Sequence, residues 1–251
     1  MSDLTRYDVI KLRARQNSGY VQNFRGVSLR DTDLSRLDLK NVNLSLADLT
    51  KANLTKTDLT KADLTEAILT NTILIDTDFT DSVLIRCNLE NMDLRHSVLT
   101  RTNLCYSNLA GVNLSETKFE HIGLVGANLM NANLSKIDLN GLSLSETKLI
   151  NANLSGSILT KIYMSSTNLN SANLEDSDLS KSHITFSELT NANLSGVNFK
   201  GSKILNSNLN GANLKNADLS NCDLSYSDLT GADLTNTILT GAILEGVKGV
   251  V

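Results

Sequence analysis

The chain has 251 residues, no proline or tryptophan, 4% aromatic residues and a formal net charge of −4. With 20% charged residues it is neither a polyelectrolyte nor a long disordered acidic chain, and it has no apolar run of the roughly 18 residues that would read as a membrane span. Average usage would supply about 5% proline, so its absence and the excess of leucine ask for a structural reason.

The N-terminus, MSDLTRYDVI, lacks an apolar signal stretch, so export is not expected. Ser2 or Asp3 is predicted to cap a helix running to about Gln16, with Leu4, Tyr7, Ile10 and Ala14 at helical spacing and Gly19 after its end. Arg6, Lys11, Arg13 and Arg15 mostly face elsewhere. They read as a solvated helix face, or, together with Arg25, Arg30 and Arg36, as an anion or nucleic-acid patch.

From Phe24 to Leu244 a large apolar residue recurs at every fifth position without insertion or deletion, giving 45 consecutive pentapeptides. Leu fills 38 of the 45 centres, and Asp or Asn stands immediately before the centre in 29. A period of five fits neither a helix nor a flat strand. It fits a short extended stretch followed by a corner. In Ala-Asp-Leu, alternation puts Ala and Leu on one face and Asp on the other. Proline anywhere would delete a backbone donor from the ladder between stacked coils.

These units, of which Ala-Asp-Leu-Thr-Lys and Ala-Asn-Leu-Ser-Gly are examples, resemble the pentapeptide-repeat family with its pattern A(D/N)LXX. The resemblance implies an all-β fold, a right-handed quadrilateral β-helix with four units per coil, closed at its start by the N-terminal helix. The expected domains are a helical cap over 1–21, a β-helix of about 11 coils over 22–246 and a short tail over 247–251. At a spacing of 20, Met164, Ile184 and Ile204 would stack, and Phe119 and Phe199 would share a column with Phe79.

Chemistry is sparse. There is no GxGxxG and no Walker loop. His96, His121 and His183 fall in different wall columns of a 20-residue coil, so no metal site and no cofactor are expected. A regular coil stack without insertion loops offers no concave substrate pocket, and neither an enzyme activity nor a small-molecule substrate is expected. Cys87 and Cys222 take inward positions, while Cys105 points outward. Three cysteines without a CxxC pair fit a reduced, cytoplasmic setting.

One wall departs from the rule. Before its centres, Gly123, Ser143, Tyr163, His183 and Lys203 replace Asp or Asn in five successive coils. It also carries Leu46, Val83, Ile85, Cys105, Tyr106, Val125, Phe186, Leu205, Tyr226 and Ile243 outward, including every outward aromatic of the repeat. The other walls carry Ile68, Ala110, Met130 and Ile150; Ile73 and Ile75; and Val98, Ile158 and Ile238. Apolar patches with aromatic anchors mark contact sites, so Tyr106, Val125, Tyr163, His183, Phe186, Lys203, Leu205 and Tyr226 form a candidate partner-binding surface. Alternatively, these side chains only stack along the ladder.

The expected function is a non-enzymatic protein-interaction scaffold or regulator, with a protein partner and without membrane or nucleic acid. The resemblance also implies an alternative, a DNA-mimicking protein that binds DNA gyrase. Residues 22–251 hold 25 acidic and 19 basic residues, a modest −6, and no loop interrupts the repeat. A short helix followed by an uninterrupted repeat is more similar to cyanobacterial members, one of which regulates heterocyst differentiation through a partner protein. The last coil is followed by few apolar residues (Val247, Val250, Val251), so a monomer or a weak homodimer through the C-terminal end is expected.

Overall fold

Each pentapeptide forms a short inward-facing step and a turn. At most centres the N–H of the third residue past the centre returns to the centre's own carbonyl, as from Ala67 to Leu64 at 2.8 Å. Past Met164, Ile184 and Ile204 the N–H of Thr167, Ser187 and Ser207 goes to the Oγ of Ser187, Ser207 and Ser227. The second residue past the centre has φ near +60° at Leu46, Lys51, Lys56 and onward through the repeat, with Gly in the same place at Gly141 and Gly211. Positive φ at the third turn residue and not the second is the signature of a type II turn, which favours Gly and Asn. Outward Asn and Asp close the turn from the side: Asn43 Oδ1 accepts the Ser45 N–H at 2.9 Å, and Asp48 Oδ1 accepts that of Thr50 at 2.9 Å. This local bond explains the Asp/Asn preference before the centre.

Coils are linked in parallel at a register of 20 residues. Asn43 bridges Asp63, and Asp63 bridges Val83. Leu44 N–H reaches Asp63 O at 2.7 Å, and Asp63 N–H reaches Val42 O at 2.9 Å. Inward, the leucine centres are buried throughout the middle of the repeat, alongside Ala, Ser and Thr. Most buried hydroxyls donate to the carbonyl of a centre, either of the preceding coil, as Thr57 Oγ1 to Leu34 O at 2.8 Å and Ser157 Oγ to Leu134 O at 2.7 Å, or of their own coil, as Ser82 Oγ to Phe79 O at 2.6 Å. Among the described residues no buried side-chain polar atom is left without a partner. A small hydroxyl residue therefore fits the inward position as well as Ala does.

The structure, a computed structural model, describes residues 3–14, 21–115, 117 and 120–249. It divides into two compact units, Met1–Val112 with Glu116–Leu124, and Asn113–Ser115 with Val125–Val251.

The first unit begins with helix α1, Arg6–Ala14. Its cap is Thr5, not Ser2 or Asp3. Thr5 Oγ1 accepts the Asp8 N–H at 3.3 Å while Asp8 Oδ2 accepts the Thr5 N–H at 2.9 Å, a reciprocal capping box. Asp3 is drawn instead to the first coil, donating its N–H to Ser28 O at 2.8 Å and accepting the Ser28 N–H on Oδ2 at 2.9 Å. The expected apolar face is also corrected: Val9 is the buried helix residue, while Tyr7 is 69% exposed and Ile10 is exposed. Two basic residues expected to face elsewhere lie on the coil. Arg6 Nη1 donates to Asp33 O at 2.9 Å and Arg13 Nε to Asp38 O at 2.8 Å. Asp3, Arg6 and Arg13 thus occupy the carbonyls that a preceding coil would have paired, on three walls in turn. Ser2, Arg15, Gln16 and Gly19 lie outside the described residues.

The ion pairs found among the described residues all lie in this unit. Between coils they include Arg30–Asp48 at 2.9 Å, Lys40–Asp58 at 3.0 Å and Arg101–Asp81 at 2.5 Å.

The second unit holds the three longest extended segments: β1, Tyr163–Ser165; β2, His183–Thr185; and β3, Lys203–Leu205. They form a parallel sheet in the order β1-β2-β3, with Met164, Ile184 and Ile204 in register as expected. On another wall Asn133, Asn153, Asn173, Asn193 and Asn213 each donate Nδ2 to the Oδ1 of the Asn one coil earlier, from 3.5 Å down to 3.0 Å. Pairing continues to Lys248, whose N–H reaches Ser227 O at 3.0 Å. Phe119, Val250 and Val251 lie outside the described residues.

Candidate functional site

Among the candidate residues, those of the second unit cluster on one wall. The sheet register places Tyr163 against His183 and His183 against Lys203, all three exposed. The Tyr163 and His183 rings stack at 5.2 Å between centroids and 16° between planes. Leu205, half-buried, pairs with Thr185, and its carbonyl accepts the Phe186 N–H at 3.1 Å.

Phe186 and Tyr226 stand at turn corners with φ of 52° and 62°, and are 64% and 58% exposed. Asn206 occupies the corner between them. The same left-handed corner holds Lys, Arg, Asp, Glu and Asn through the repeat, so its cost of about 1–2 kcal/mol falls on any residue with a Cβ and is not peculiar to the rings. The Tyr226 ring lies over the next corner, where a Cβ on Gly246 would come within 2.6 Å of it. Its hydroxyl donates to Glu245 Oε1 at 2.5 Å, and this bond holds the phenol above its ordinary pKa.

Val125 is half-buried and pairs toward Ser145 through the Gly126 N–H, so the structure does not bring it beside Tyr163. Tyr106 belongs to the first unit. It is exposed at a corner with φ of 60°, next to Cys105, whose N–H is held by Asn103 Oδ1 at 3.1 Å. Tyr106, Phe186 and Tyr226 each stand two residues past a centre, at the corner that Leu46 and many Lys, Asp and Asn residues also occupy.

The expectation of a stack without concavities needs correction. In the first unit a cleft of about 630 Å³ is lined by Thr70, Asn71, Ile73, Ile75, Asn88, Glu90, Met92 and Asp93, among others. It arises where coils part, not from an inserted loop. Leu54 N–H bonds to Ile73 O at 2.8 Å, yet among the described residues the Leu74 N–H has no matching bond to Asp93 O. Its acids are engaged: Asp93 takes Arg95 Nη2 at 2.6 Å, which holds its carboxyl below the usual range, and Glu90 takes Asn108 Nδ2 at 3.1 Å. The cleft presents no free acid–base pair.

Cys87 Sγ lies 3.0 Å from Leu64 O, and burial pushes both the Cys87 and Cys222 thiols up to about 12, so neither is reactive near neutrality. Among the described residues no group of His, Cys, Asp or Glu is placed to hold a metal ion, and no helix is long and apolar enough to cross a membrane.

The family model for pentapeptide repeats matches in 8 copies, over residues 23–45, 47–84, 82–120, 127–165, 147–185, 162–201 and 207–246. The chain belongs to the pentapeptide-repeat family. Its fold is the right-handed quadrilateral β-helix of that family, with one short N-terminal helix. Among solved pentapeptide-repeat structures it is similar to HetL, involved in heterocyst differentiation regulation in the cyanobacterium Nostoc sp. strain PCC 7120. That match has 24% identity, covers 99% of each chain and has a TM-score of 0.46. A trypsin-treated form of QnrB1, a plasmid-mediated fluoroquinolone resistance protein, is 15% identical over 91% of each chain, with a TM-score of 0.36. Rfr23 from the cyanobacterium Cyanothece 51142 is 26% identical over 50% of this chain and 90% of its own, with a TM-score of 0.19. A comparison with curated protein sequences returns no match.

Proposed function

We propose that this pentapeptide-repeat protein is a non-enzymatic, cytoplasmic interaction scaffold or regulator that holds a protein partner on its aromatic wall. The observation that carries this reading is the gathering on one wall of the second unit of exposed Tyr163, Phe186 and Tyr226 beside half-buried Leu205, where most other outward positions hold Asn, Asp, Ser, Thr or Lys. The flanking Tyr163–His183 stack and Leu205 give the wall an amphipathic surface suited to partner contact.

Duplex mimicry of the kind that would engage gyrase is less well supported. Several of the first unit's carboxylates are paired, Asp48 with Arg30, Asp58 with Lys40 and Asp81 with Arg101, which interrupts the acidic surface there. The proposal includes weak self-association through the coil at 229–244. Leu234 and Leu239 are only half-buried there, and Leu244 is 38% exposed. Sedimentation at high concentration checks that part.

The test of the main reading is affinity capture from the source cell, comparing the unmodified protein with a form in which Tyr106, Tyr163, Phe186 and Tyr226 are replaced by Ser. A specific partner should be lost with melting unchanged. Retained capture with lowered melting would show that the rings only support the coil stack.

A further inference from the structure

Beside the aromatic wall the second unit assembles a block of positive charge in a chain whose net charge is −4. Lys161 and Lys181 occupy successive corners, linked through the Lys161 N–H to Ser180 O at 3.0 Å and the Lys181 N–H to Lys200 O at 3.0 Å. Two residues on in the same coils stand Tyr163 and His183, and Lys203 follows in register. Lys161, Lys181, His183 and Lys203 are all exposed. Among the described residues none of these lysines enters an ion pair, nor does any other basic residue of the second unit.

Three carboxylates border the block, each holding a neutral donor on one oxygen and keeping its charge. Asp178 Oδ1 accepts from Ser180 N–H at 2.9 Å and Asn198 Nδ2 at 3.0 Å. Asp223 Oδ1 accepts from Ser225 N–H at 3.1 Å, and Glu188 Oε2 from Asn208 Nδ2 at 2.9 Å.

We infer that the partner presents an acidic polypeptide segment, its carboxylates meeting Lys161, Lys181 and Lys203 and an apolar side chain resting on Phe186 and Leu205. The inference rests on the aromatic wall being the partner surface and names the chemistry that surface selects. Unpaired ammonium groups beside an exposed ring supply electrostatic complementarity and an anchor together. A nucleic acid fits less well. The block spans three coils, about 10 Å at the spacing of paired strands, and Asp178, Glu188 and Asp223 border it. A phosphate backbone needs a longer basic track.

The experiment measures binding of three labelled probes to the full chain at low ionic strength: a synthetic peptide of alternating Glu and Leu, its Gln-for-Glu analogue, and single-stranded oligothymidylate. The Glu peptide should bind saturably, weaken with added salt, and lose about tenfold or more in affinity to K161Q/K181Q/K203Q. Equal binding of the Gln analogue, tighter binding of oligothymidylate, or no saturable binding of the Glu peptide overturns the inference. A parallel Y163S/F186S variant separates the two readings. Should cellular partner capture fail with the ring variant yet survive the lysine variant, the wall stands and the acidic partner falls. If capture survives both, the wall itself is wrong.

Discussion

Arg13 Nε donates to the main-chain oxygen of Asp38 at 2.8 Å, in the place where a preceding coil would have supplied a backbone N–H. Arg6 does the same one wall earlier, at Asp33 O. The helix therefore closes the first coil through guanidinium groups and the buried Val9, not through a broad apolar face. Replacing both Arg6 and Arg13 by Ala should destabilise the first coil by about 1–3 kcal/mol, the range for hydrogen bonds to charged donors. Hydrogen exchange at Leu39, whose N–H bonds to Asp58 O, should quicken while Leu139 stays unchanged. Removing residues 1–19 altogether should add aggregation, because an open edge meets water.

Leu134 is fully buried and Asn131 is an exposed corner residue. Leu134→Ala should lower stability by about 2–5 kcal/mol, and Asn131→Gly should change it by less than about 1 kcal/mol. Denaturant titration compares the two, and equal effects would contradict the inward and outward assignments.

Phe186→Gly removes a bulky side chain from a residue at φ 52°. Thermal melting should rise or hold, by up to about 1 kcal/mol of relieved strain, while partner capture weakens. A clear loss of stability would mean that the ring supports its neighbours.

The parted coils of the first unit should open locally. Exchange at the Leu74 amide should run well ahead of the Leu54 amide, which is bonded to Ile73 O. Matching protection at the two positions would close the cleft.

Several carboxyls are held below their ordinary pKa by turn hydrogen bonds, Asp218 by Ser220 and Asp33 by Ser35. A folded-state pKa below the unfolded value of about 3.9 stabilises the fold above that value and loses the effect as pH falls through the folded pKa. Melting temperature should hold from neutrality to about pH 5 and drop below about pH 4. Asp218→Asn, which keeps an acceptor for Ser220, should reduce that drop, measured by thermal denaturation across the range.

The coil architecture was legible because one apolar residue in five tolerates only one inward direction. The helix cap was not, because Ser2, Asp3 and Thr5 are all competent caps and only the reply from Asp8 Oδ2 selects Thr5. Arg6 and Arg13 were read as solvated because no local pattern announces that Asp33 O and Asp38 O, some 25 residues on, lack partners. The cleft was invisible for a similar reason: Leu69 and Leu74 keep the five-residue spacing while the coils beside Leu74 part. On the wall, sequence spacing placed Tyr163 beside His183, but nothing in it set Tyr226 down on Gly246.

The four walls share one interior but not one surface, and this makes the protein's tolerance of length changes uneven. Excising residues 170–174 would still seat Leu189 over Met164, so the inner column would meet another large apolar side chain. Outside, Glu188 would replace His183 beside Tyr163, and the asparagine ladder would lose its alignment. Excising a full turn of 20 residues, the register recorded by Asn193 and Asn173, would leave every wall facing as before. Lineages of this protein should therefore gain and lose whole turns readily, whereas slippage by a single repeat would keep a foldable chain and erase its recognition surface.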